Sequence, residues 1–379
     1  MRPAWLDRLR RHWPLLVYVA SVVLVTFQFG GRDAANNIKI FRWSFQHLLR
    51  AQDIYGQYPG LYYDVFKYSP TWALLFAPFA APPAAIGFLL WDLCAAVLFY
   101  YAIVRLLPGP PGRVALAIAF FEFVAAMQHA STTNAVVAAL IILAFVAFEE
   151  DRQGLAALCI GVGVLMKLYP LAALSFAAFH PRKPRFALVF VGVLAGLIAV
   201  PVLVTTPSAL AAQWRSWGHT LAADTAASGW SLMSYLQQWF GVDWPNWSVQ
   251  LGGMIMLLLP LALRRDRWSD PHFRRLFLCS VLLYCLIFNH QAERPSAVVG
   301  FTGIALWYAM SPRTWFRTAV MALAFIAVPL LHSSLVPWVI RLYILPGLGL
   351  ITLSCFLVWW VIQAELLADS QSTPLETTS

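Results

Sequence analysis

Asp33, which closes the first apolar run of the chain, is the residue best suited to a chemical role. Only small residues and Arg32 flank it in the run 30–35, so there is space beside its carboxylate for a bound molecule. A carboxylate in such a place can accept the proton of an attacking hydroxyl group. The alternative interpretation is that Asp33 only ends a helix or pairs with Arg32. The sequence thus offers one candidate general base.

Further ionisable residues lie in the first long loop or at the ends of later apolar runs. Lys67, Lys167 and Arg294 could neutralise a phosphate, because lysine supplies a point charge and arginine a planar fork. His290 could hydrogen-bond a phosphate or a sugar. Structural alternatives stay open: Lys167 could extend to the membrane interface, His290 could be satisfied within the protein, and Arg294 could pair with Glu293.

Other polar and aromatic residues fall in the same group of turns. Ionisable and polar groups at membrane depth are candidates for function, so these side chains are predicted to surround one cavity. Tyr68 joins the predicted donor-binding group. The predicted acceptor-binding or cavity-lining residues are Gln128, Asn134, Tyr169, Trp230 and Glu293. By contrast, Asp53 and Tyr55 are interpreted as residues that hold a loop together, and Asp64 as an ordinary solvated acid.

The composition is that of a membrane protein. Hydrophobic residues make up 60% of the chain and charged residues 11%, whereas soluble proteins carry about 25% charged residues. Repeated apolar runs predict an all-α polytopic membrane protein with about twelve transmembrane helices. The 26 Lys and Arg residues are scattered over short loops, which indicates membrane topology rather than a nucleic-acid partner.

The apolar runs also predict an order of spans. These are roughly 14–30, 84–106, 113–128, 132–148, 154–166, 168–180, 184–205, 248–264, 274–290, 296–311, 314–331 and 337–362. The region 154–180 could be one long span broken at Pro170, but two short spans that meet at Lys167 keep the charge bias consistent. With the N-terminus in the cytoplasm, most Lys and Arg residues fall on the cytoplasmic side.

Two long loops are predicted on the outer side. The first, 31–83, contains Phe41, Trp43 and Phe45 in the pattern of an amphipathic helix at a membrane surface, followed by a short apolar stretch, 71–81, typical of a re-entrant or interfacial helix. The second, 206–247, is rich in tryptophan, which favours the interface. Both loops belong to one predicted transmembrane domain, 1–363, and residues 364–379 are predicted to be a disordered cytoplasmic tail.

Signatures of several other chemistries do not occur in the sequence. There is no P-loop, no GxSxG motif and no DxD motif that would hold a divalent metal under a nucleotide sugar. The five cysteines show no CxxC spacing, so no metal site is predicted. Glu149, Glu150 and Asp151 fall in a short cytoplasmic loop, where they are interpreted as a solvated face.

The order of these motifs resembles a known family. It comprises a Gly-x-Asp after the first span, the segment 53–55, Phe66-Lys67-Tyr68-Ser69-Pro70-Thr71-Trp72, the turn 166–170 and Asn289-His290 before a late span. This series is similar to the polyprenyl-phosphate-dependent glycosyltransferases of family 87, in the GT-C superfamily. The resemblance covers most of the chain. One departure is Ser228-Gly229-Trp230-Ser231, where the family more often has Asn-Gln-Ser.

The resemblance implies an inverting hexosyltransferase that takes a sugar, often mannose, from a polyprenyl-phosphate-linked donor. Its acceptor would be a lipid or a glycan, and it would need neither a nucleotide sugar nor a metal or other cofactor. By resemblance Asp33 is the general base, and His290 and Lys167 belong to the donor site. The implied location is a bacterial inner membrane, with the active site facing the periplasm.

Two other functions remain open from the sequence. A transporter or flippase for a lipid-linked sugar would also need many spans and a polar cavity, although no internal repeat is evident. A non-catalytic subunit of an envelope assembly complex is the third possibility.

Overall fold

The computed structural model describes residues 4–29, 36–128, 133–226 and 229–368, and this part of the chain is helical, without strands. In chain order the α-helices are α1 (Ala4–Phe29), α2 (Asn36–Leu49), α3 (Pro70–Leu75), α4 (Ala77–Ala80), α5 (Ala84–Leu106), α6 (Pro110–Gln128), α7 (Asn134–Glu149), α8 (Gln153–Met166), α9 (Lys183–Ala199), α10 (Pro207–Ala223), α11 (Leu232–Phe240), α12 (Asn246–Leu263), α13 (Pro271–Ile287), α14 (Ala297–Met310), α15 (Trp315–Phe325), α16 (Leu345–Leu348) and α17 (Leu350–Leu367). Shorter 3₁₀ or π-helical segments are Tyr169–Phe179, Val200–Leu203, Arg265–Arg267, Arg294–Ser296, Ile326–Leu330 and Ile340–Ile344.

Several helices have the length and composition of membrane spans. Within the described residues, 5 helical stretches meet both criteria: Ala84–Leu106, Pro110–Gln128, Lys183–Leu203, Asn246–Leu263 and Leu350–Leu367. Other apolar helices are 10–17 residues long. The prediction of an all-α membrane protein is confirmed, while the predicted number of about twelve spans exceeds the number that these criteria identify.

The core is centred on α13 and α14, which pack closely along their length. Both helices are buried almost completely. Their close approach depends on glycine, because a Cβ at Gly303 would lie 2.8 Å from the carbonyl oxygen of Cys279, and one at Gly300 would lie 2.6 Å from a methyl carbon of Leu286. Small residues permit this helix contact in membrane proteins.

The helix α2 is the predicted amphipathic helix of the first loop. Its apolar side chains, including Ile38, Phe41 and Leu48, are buried, and the helix packs against α3 and α4. Arg42 donates hydrogen bonds from Nη1 to the carbonyl oxygens of Phe79, at 3.1 Å, and Pro82, at 2.7 Å. The first loop is therefore folded, with α2 packed against its two short helices.

The predicted last span, 337–362, is wrong as a single helix. The chain forms a π-helical turn and then α16, and it breaks at Gly349, whose φ is +60°. The left-handed conformation ends α16 at low cost only for glycine, and a Cβ there would lie 2.6 Å from the ring of Trp239. After the break, α17 continues to Leu367, so the helix extends past the predicted start of the tail at 364.

The acids of the turn between α7 and α8 are paired with basic residues from other segments. Arg274 of α13 binds Glu149 through two hydrogen bonds, at 2.7 and 2.9 Å. Arg105 of α5 lies 2.6 Å from Glu150. The third acid of the turn, Asp151, contacts His180 at 2.8 Å and Arg182. All three acids are exposed, which agrees with the interpretation as a solvated face, and their ion pairs in addition connect the turn to α5, α13 and the segment 180–182.

Candidate active site

A cavity of about 470 Å³ opens at the end of the bundle where α8 finishes. Its walls come from α2, the loop before α3, the turn after α8, the end of α10, α12, α13 and the 289–293 turn. The polar residues that line it are Asn37, Asp64, Lys67, Lys167, Thr220, Asp224, Gln250, Asn289, His290, Gln291 and Glu293. Most of the other lining residues are apolar or aromatic, among them Met254, Tyr284 and Phe288. The cavity therefore combines charged groups with an apolar wall.

Lys67 and Tyr68 reach the cavity from a loop fixed by aromatic packing. The ring of Tyr68 packs edge-on against Phe41, with centroids 5.0 Å apart, and its carbonyl oxygen accepts a 2.8 Å hydrogen bond from the Tyr55 hydroxyl. The carbonyl of Lys67 accepts from the indole N–H of Trp217 at 3.1 Å. With both carbonyls held, the loop presents the two side chains in a defined place. The prediction that Tyr55 supports this loop is confirmed.

The ammonium group of Lys67 is partly neutralised. Its Nζ lies 3.5 Å from Oδ2 of Asp224, and the two side chains are 43% and 29% exposed. An exposed pair of this kind contributes little binding energy, so an anion of higher charge can compete for Lys67. Tyr68 remains a neutral hydroxyl, because burial raises its pKa to about 12.

Lys167 is the second cation of the cavity. It follows α8 directly in an extended conformation, with φ −150° and ψ 141°, which turns it out of the helix. Burial lowers its pKa, the carboxylate of Glu293 opposes that shift, and the charge of Lys67 adds to it. Nζ of Lys167 makes no hydrogen bond or ion pair with the described residues. A half-buried cation without such a partner favours an anionic ligand.

Tyr169 is held beside Lys167 by its own contacts. Its hydroxyl donates to Oδ1 of Asn134 at 3.2 Å, and its carbonyl oxygen accepts from the Cys285 thiol at 3.4 Å. Asn134 is fully buried at the start of α7 and lies outside the cavity lining. The structure therefore places Tyr169 in the cavity wall and Asn134 behind it.

His290 is satisfied by the protein at both ring nitrogens. Its Nε2 lies 3.1 Å from the carbonyl oxygen of Asp224, and because a carbonyl only accepts, Nε2 must carry the proton. Its Nδ1 then accepts from the side-chain amide of Gln250 at 3.2 Å. The ring lines the cavity and links α12 to the end of α10. Of the two interpretations of His290, the arrangement agrees with the structural one.

Two carboxylates that line the cavity make no ion pair with the described residues. Glu293 is exposed to the cavity, as predicted for a lining residue. Asp64 also lines it, so its interpretation as an ordinary solvated acid is incomplete. Asp64 adopts a positive φ of 73°, a conformation that Asp tolerates better than most residues. The cavity thus presents charges of both signs to a ligand.

The structure places Arg294 away from the cavity. Its guanidinium forms two 2.7 Å hydrogen bonds with the carboxylate of Glu122 in α6, and both residues are buried. The prediction that Arg294 binds the donor phosphate is wrong for this arrangement, and so is the alternative that it pairs with Glu293. The reason is that the turn directs Arg294 into the bundle, towards the intramembrane acid Glu122.

Two other predicted lining residues also lie outside the cavity. Gln128 is the exposed last residue of α6. Trp230 packs against His332, with ring centroids 5.4 Å apart, and its carbonyl accepts from Thr352 at 2.9 Å. The candidate base Asp33 lies outside the described residues. Asn37, four residues later in the sequence, lines the cavity.

Sequence reasoning missed the lining residues Asp224 and Gln250. Neither belongs to a recognisable motif, since Asp224 follows an ordinary helix and Gln250 lies within the apolar helix α12. The only available signal was that Gln250 is a polar residue in an apolar run, which marks a functional candidate in membranes.

Comparison with protein families identifies the chain. The model of glycosyltransferase family 87 matches residues 66–288. The chain belongs to glycosyltransferase family 87. A search of curated proteins found no match. Family membership makes the chain a glycosyltransferase, and the apolar helices indicate that it is inserted in a membrane.

The family 87 match includes part of the cavity, while the lining residues of α2 and of the 289–293 turn lie outside it. The match begins at Phe66, one residue before Lys67, and ends at Phe288, just before the 289–293 turn. It includes Lys67, Lys167 and Asp224, which come from three separate segments. The part of the chain that the family model describes therefore supplies the two cations of the cavity and most of its apolar wall.

Proposed function

We propose that this family 87 member is an inverting hexosyltransferase. It would take a hexose, with mannose as the first candidate, from a polyprenyl-phosphate-linked donor and pass it to a lipid or glycan acceptor. The observation that carries the proposal is the pair of lysines, Lys67 and Lys167, in one cavity with an apolar wall. A prenyl phosphate needs both features, since its phosphate requires cations and its chain requires apolar contact.

In the proposed reaction, the acceptor hydroxyl attacks the anomeric carbon from the side opposite the phosphate. Asp33 takes the hydroxyl proton as the new C–O bond forms, and the bond from the anomeric carbon to the phosphate oxygen breaks. The prenyl phosphate leaves with the bonding electron pair. Lys67 and Lys167 lower the energy of the negative charge that develops on it. Because these cations stabilise the leaving group, the proposed reaction requires no metal or other cofactor.

The topology of the proposal follows the distribution of charge. We propose a single transmembrane domain over residues 1–363 with about twelve spans, a cytoplasmic N-terminus and the cavity facing the periplasm of a bacterial inner membrane. Arg105, Arg182 and Arg274 lie at the α7–α8 turn, and this group of arginines supports a cytoplasmic location for that end under the positive-inside rule. Lys167, at the other end of α8, would then face the outside.

The test is sugar transfer in proteoliposomes. Labelled polyprenyl-phosphate-mannose and a total lipid extract are supplied to the wild type and to Asp33→Asn in parallel, with and without a chelator. Transfer of label to a new lipid by the wild type only, unaffected by the chelator, supports donor, base and metal independence together. Transfer that stops with the chelator contradicts metal independence.

Two other results would redirect the proposal. Equal rates for the wild type and a folded Asp33→Asn variant contradict the role of Asp33. If a panel of prenyl-phosphate sugars yields no transfer, the donor class is wrong. Movement of an intact lipid-linked sugar across the membrane in the same vesicles would then favour the flippase.

A further inference from the structure

A buried ion pair of Glu122 and Arg294 joins α6 to the 3₁₀ segment Arg294–Ser296. Nη1 and Nη2 of Arg294 each bind one carboxylate oxygen of Glu122 at 2.7 Å. The side chains are 1% and 10% exposed. Glu122 lies well inside α6, about 9 Å from its end at Gln128. The two hydrogen bonds therefore connect Glu122, inside the bundle, to the turn that precedes Arg294.

The turn that Arg294 terminates carries part of the cavity wall. Residues 289–293 link α13 to the 3₁₀ segment Arg294–Ser296, and His290 and Glu293 in this turn line the cavity. On its other flank, Gln291 donates to the carbonyl of Ala226 at 2.7 Å. The turn is thus held by contacts to α12 and to the residues that follow α10 on one side, and by the Arg294 fork on the other.

Stability alone does not explain such a pair. Replacing a buried ion pair with apolar residues of similar volume is often neutral or stabilising, whereas removing one partner leaves an uncompensated charge. What the pair uniquely supplies is orientation, because two parallel hydrogen bonds fix the plane of the guanidinium. Both Nη atoms are used in this way, so the Arg294 fork is not available to a phosphate.

We propose that Glu122 and Arg294 are positioning residues, whose forked ion pair sets the orientation of the 289–293 turn and thereby the place of His290 and Glu293 in the cavity. Neither residue touches the substrate. The expected fall in kcat rests on the proposed transferase function. The expected change in the orientation of the 289–293 turn does not. A displacement of about 1 Å at such a site can reduce a rate on the order of 100-fold.

The experiment separates positioning from stability with three variants. Glu122→Gln leaves the buried arginine charge uncompensated, and we expect both the melting temperature and kcat to fall. The double variant Glu122→Leu/Arg294→Met removes both charges, and we expect it to regain most of the melting temperature while kcat stays about 10- to 100-fold low. Arg294→Lys keeps the charge but not the fork, and we expect it to lower kcat with a smaller loss of stability.

A second ion pair provides the matched control. Arg317 binds Glu365 at 2.9 Å, and the side chains are 21% and 18% exposed. Neither residue lines the cavity. We expect Glu365→Leu/Arg317→Met to change the melting temperature without changing kcat.

A readout that does not depend on activity completes the test. Hydrogen–deuterium exchange of the peptide covering 289–296 should be faster in Glu122→Leu/Arg294→Met than in the wild type, and unchanged in the control pair. Equal exchange in the double variant and the wild type overturns the inference, as does recovery of kcat together with the melting temperature. An inactive wild type contradicts the proposed function only, since the exchange measurement still decides whether the pair positions the turn.

Discussion

The two ends of α8 use charge in opposite ways. At its beginning, the acids of the 149–151 turn are paired with Arg274, Arg105 and Arg182 from other segments. At its end, about 20 Å away along the helix axis, Lys167 makes no ion pair with the described residues. Glu293 and Asp64, which line the same cavity, likewise have no such partner in the part of the chain that the structure covers.

The difference indicates which end binds a ligand. Paired charges already have their energy lowered by the protein, so the 149–151 turn stabilises the contact between helices. Lys167 is half-buried and unpaired, so it retains a desolvation cost that a ligand of negative charge relieves. A second, smaller cavity of about 280 Å³ lies beside Glu149, Asp151 and Arg182, which shows that a cavity alone does not distinguish the ends.

The largest expected effect tests the cavity end through its candidate base. Asp33→Asn should lower the transfer rate about 10²- to 10⁴-fold, the range for removal of a general base, with little change in melting temperature. Asp151→Asn, the same chemical change at the opposite end, is the control and should keep its rate per folded molecule. Equal losses for the two variants would refute the comparison.

The next effect concerns the unpaired lysine. Lys167→Met should weaken donor binding about 10- to 100-fold, because a hydrogen bond to a charged group contributes about 1.5–3 kcal/mol. Lys183→Met is the control, since Lys183 lies over the ring of Trp268 at the other end. Titration of the two variants with labelled donor measures the affinities, and unchanged affinity in Lys167→Met would favour the interfacial anchor.

The same substitution has a consequence for stability. Burial lowers the pKa of Lys167 below its usual value of 10.5, so the folded protein holds this proton less tightly than the unfolded chain. The charged group therefore costs stability at neutral pH, and the cost disappears as the pH rises through the lowered pKa towards 10.5. Lys167→Met should raise the melting temperature at pH 7 and lose that advantage at high pH. If Lys167→Met has a lower melting temperature than the wild type at pH 7, the conclusion that the charge of Lys167 is uncompensated is contradicted.

A smaller effect is expected from the ion pair of Lys67 and Asp224 at the cavity. Asp224→Asn releases Lys67, so the apparent affinity for an anionic donor should rise about 2- to 5-fold, which matches the worth of an exposed pair. Asp270→Asn, which removes an acid paired with Arg267 outside the cavity, is the control. Donor titration at low and high salt measures both, and weaker binding by Asp224→Asn would show that Asp224 assists the donor.

The smallest effect on transfer is expected at the paired end. Glu149→Gln removes one acid from a pair that is 18% and 30% exposed, so it should lower stability by about 1 kcal/mol or less, or about 1–3 °C in melting temperature. The transfer rate of the folded protein should not change. A fall in rate without a fall in stability would assign the α7–α8 turn a role in catalysis.

The sequence predicted much of the helical framework but less of the site. The bounds of α5 agree with the predicted span 84–106, because a long apolar run bounded by proline and polar residues leaves little choice. Lys167 was also identified, since a lysine at the end of an apolar run is costly enough to stand out, and Lys67 was identified from the motif that begins at Phe66. Arg294 was misassigned, because its partner Glu122 lies 172 residues away in the chain.

The sequence by itself determined that the chain is a helical membrane protein and a member of its family, since apolar runs and local motif order carry both signals. Only the tertiary structure decided which charges are paired, that both nitrogens of His290 are occupied, and that Asp64 and Asp224 face the cavity. The physical reason is the separation along the chain between the residues that interact. Helix formation and membrane insertion depend on neighbouring residues, whereas the state of a charged group depends on partners that folding brings from distant parts of the chain.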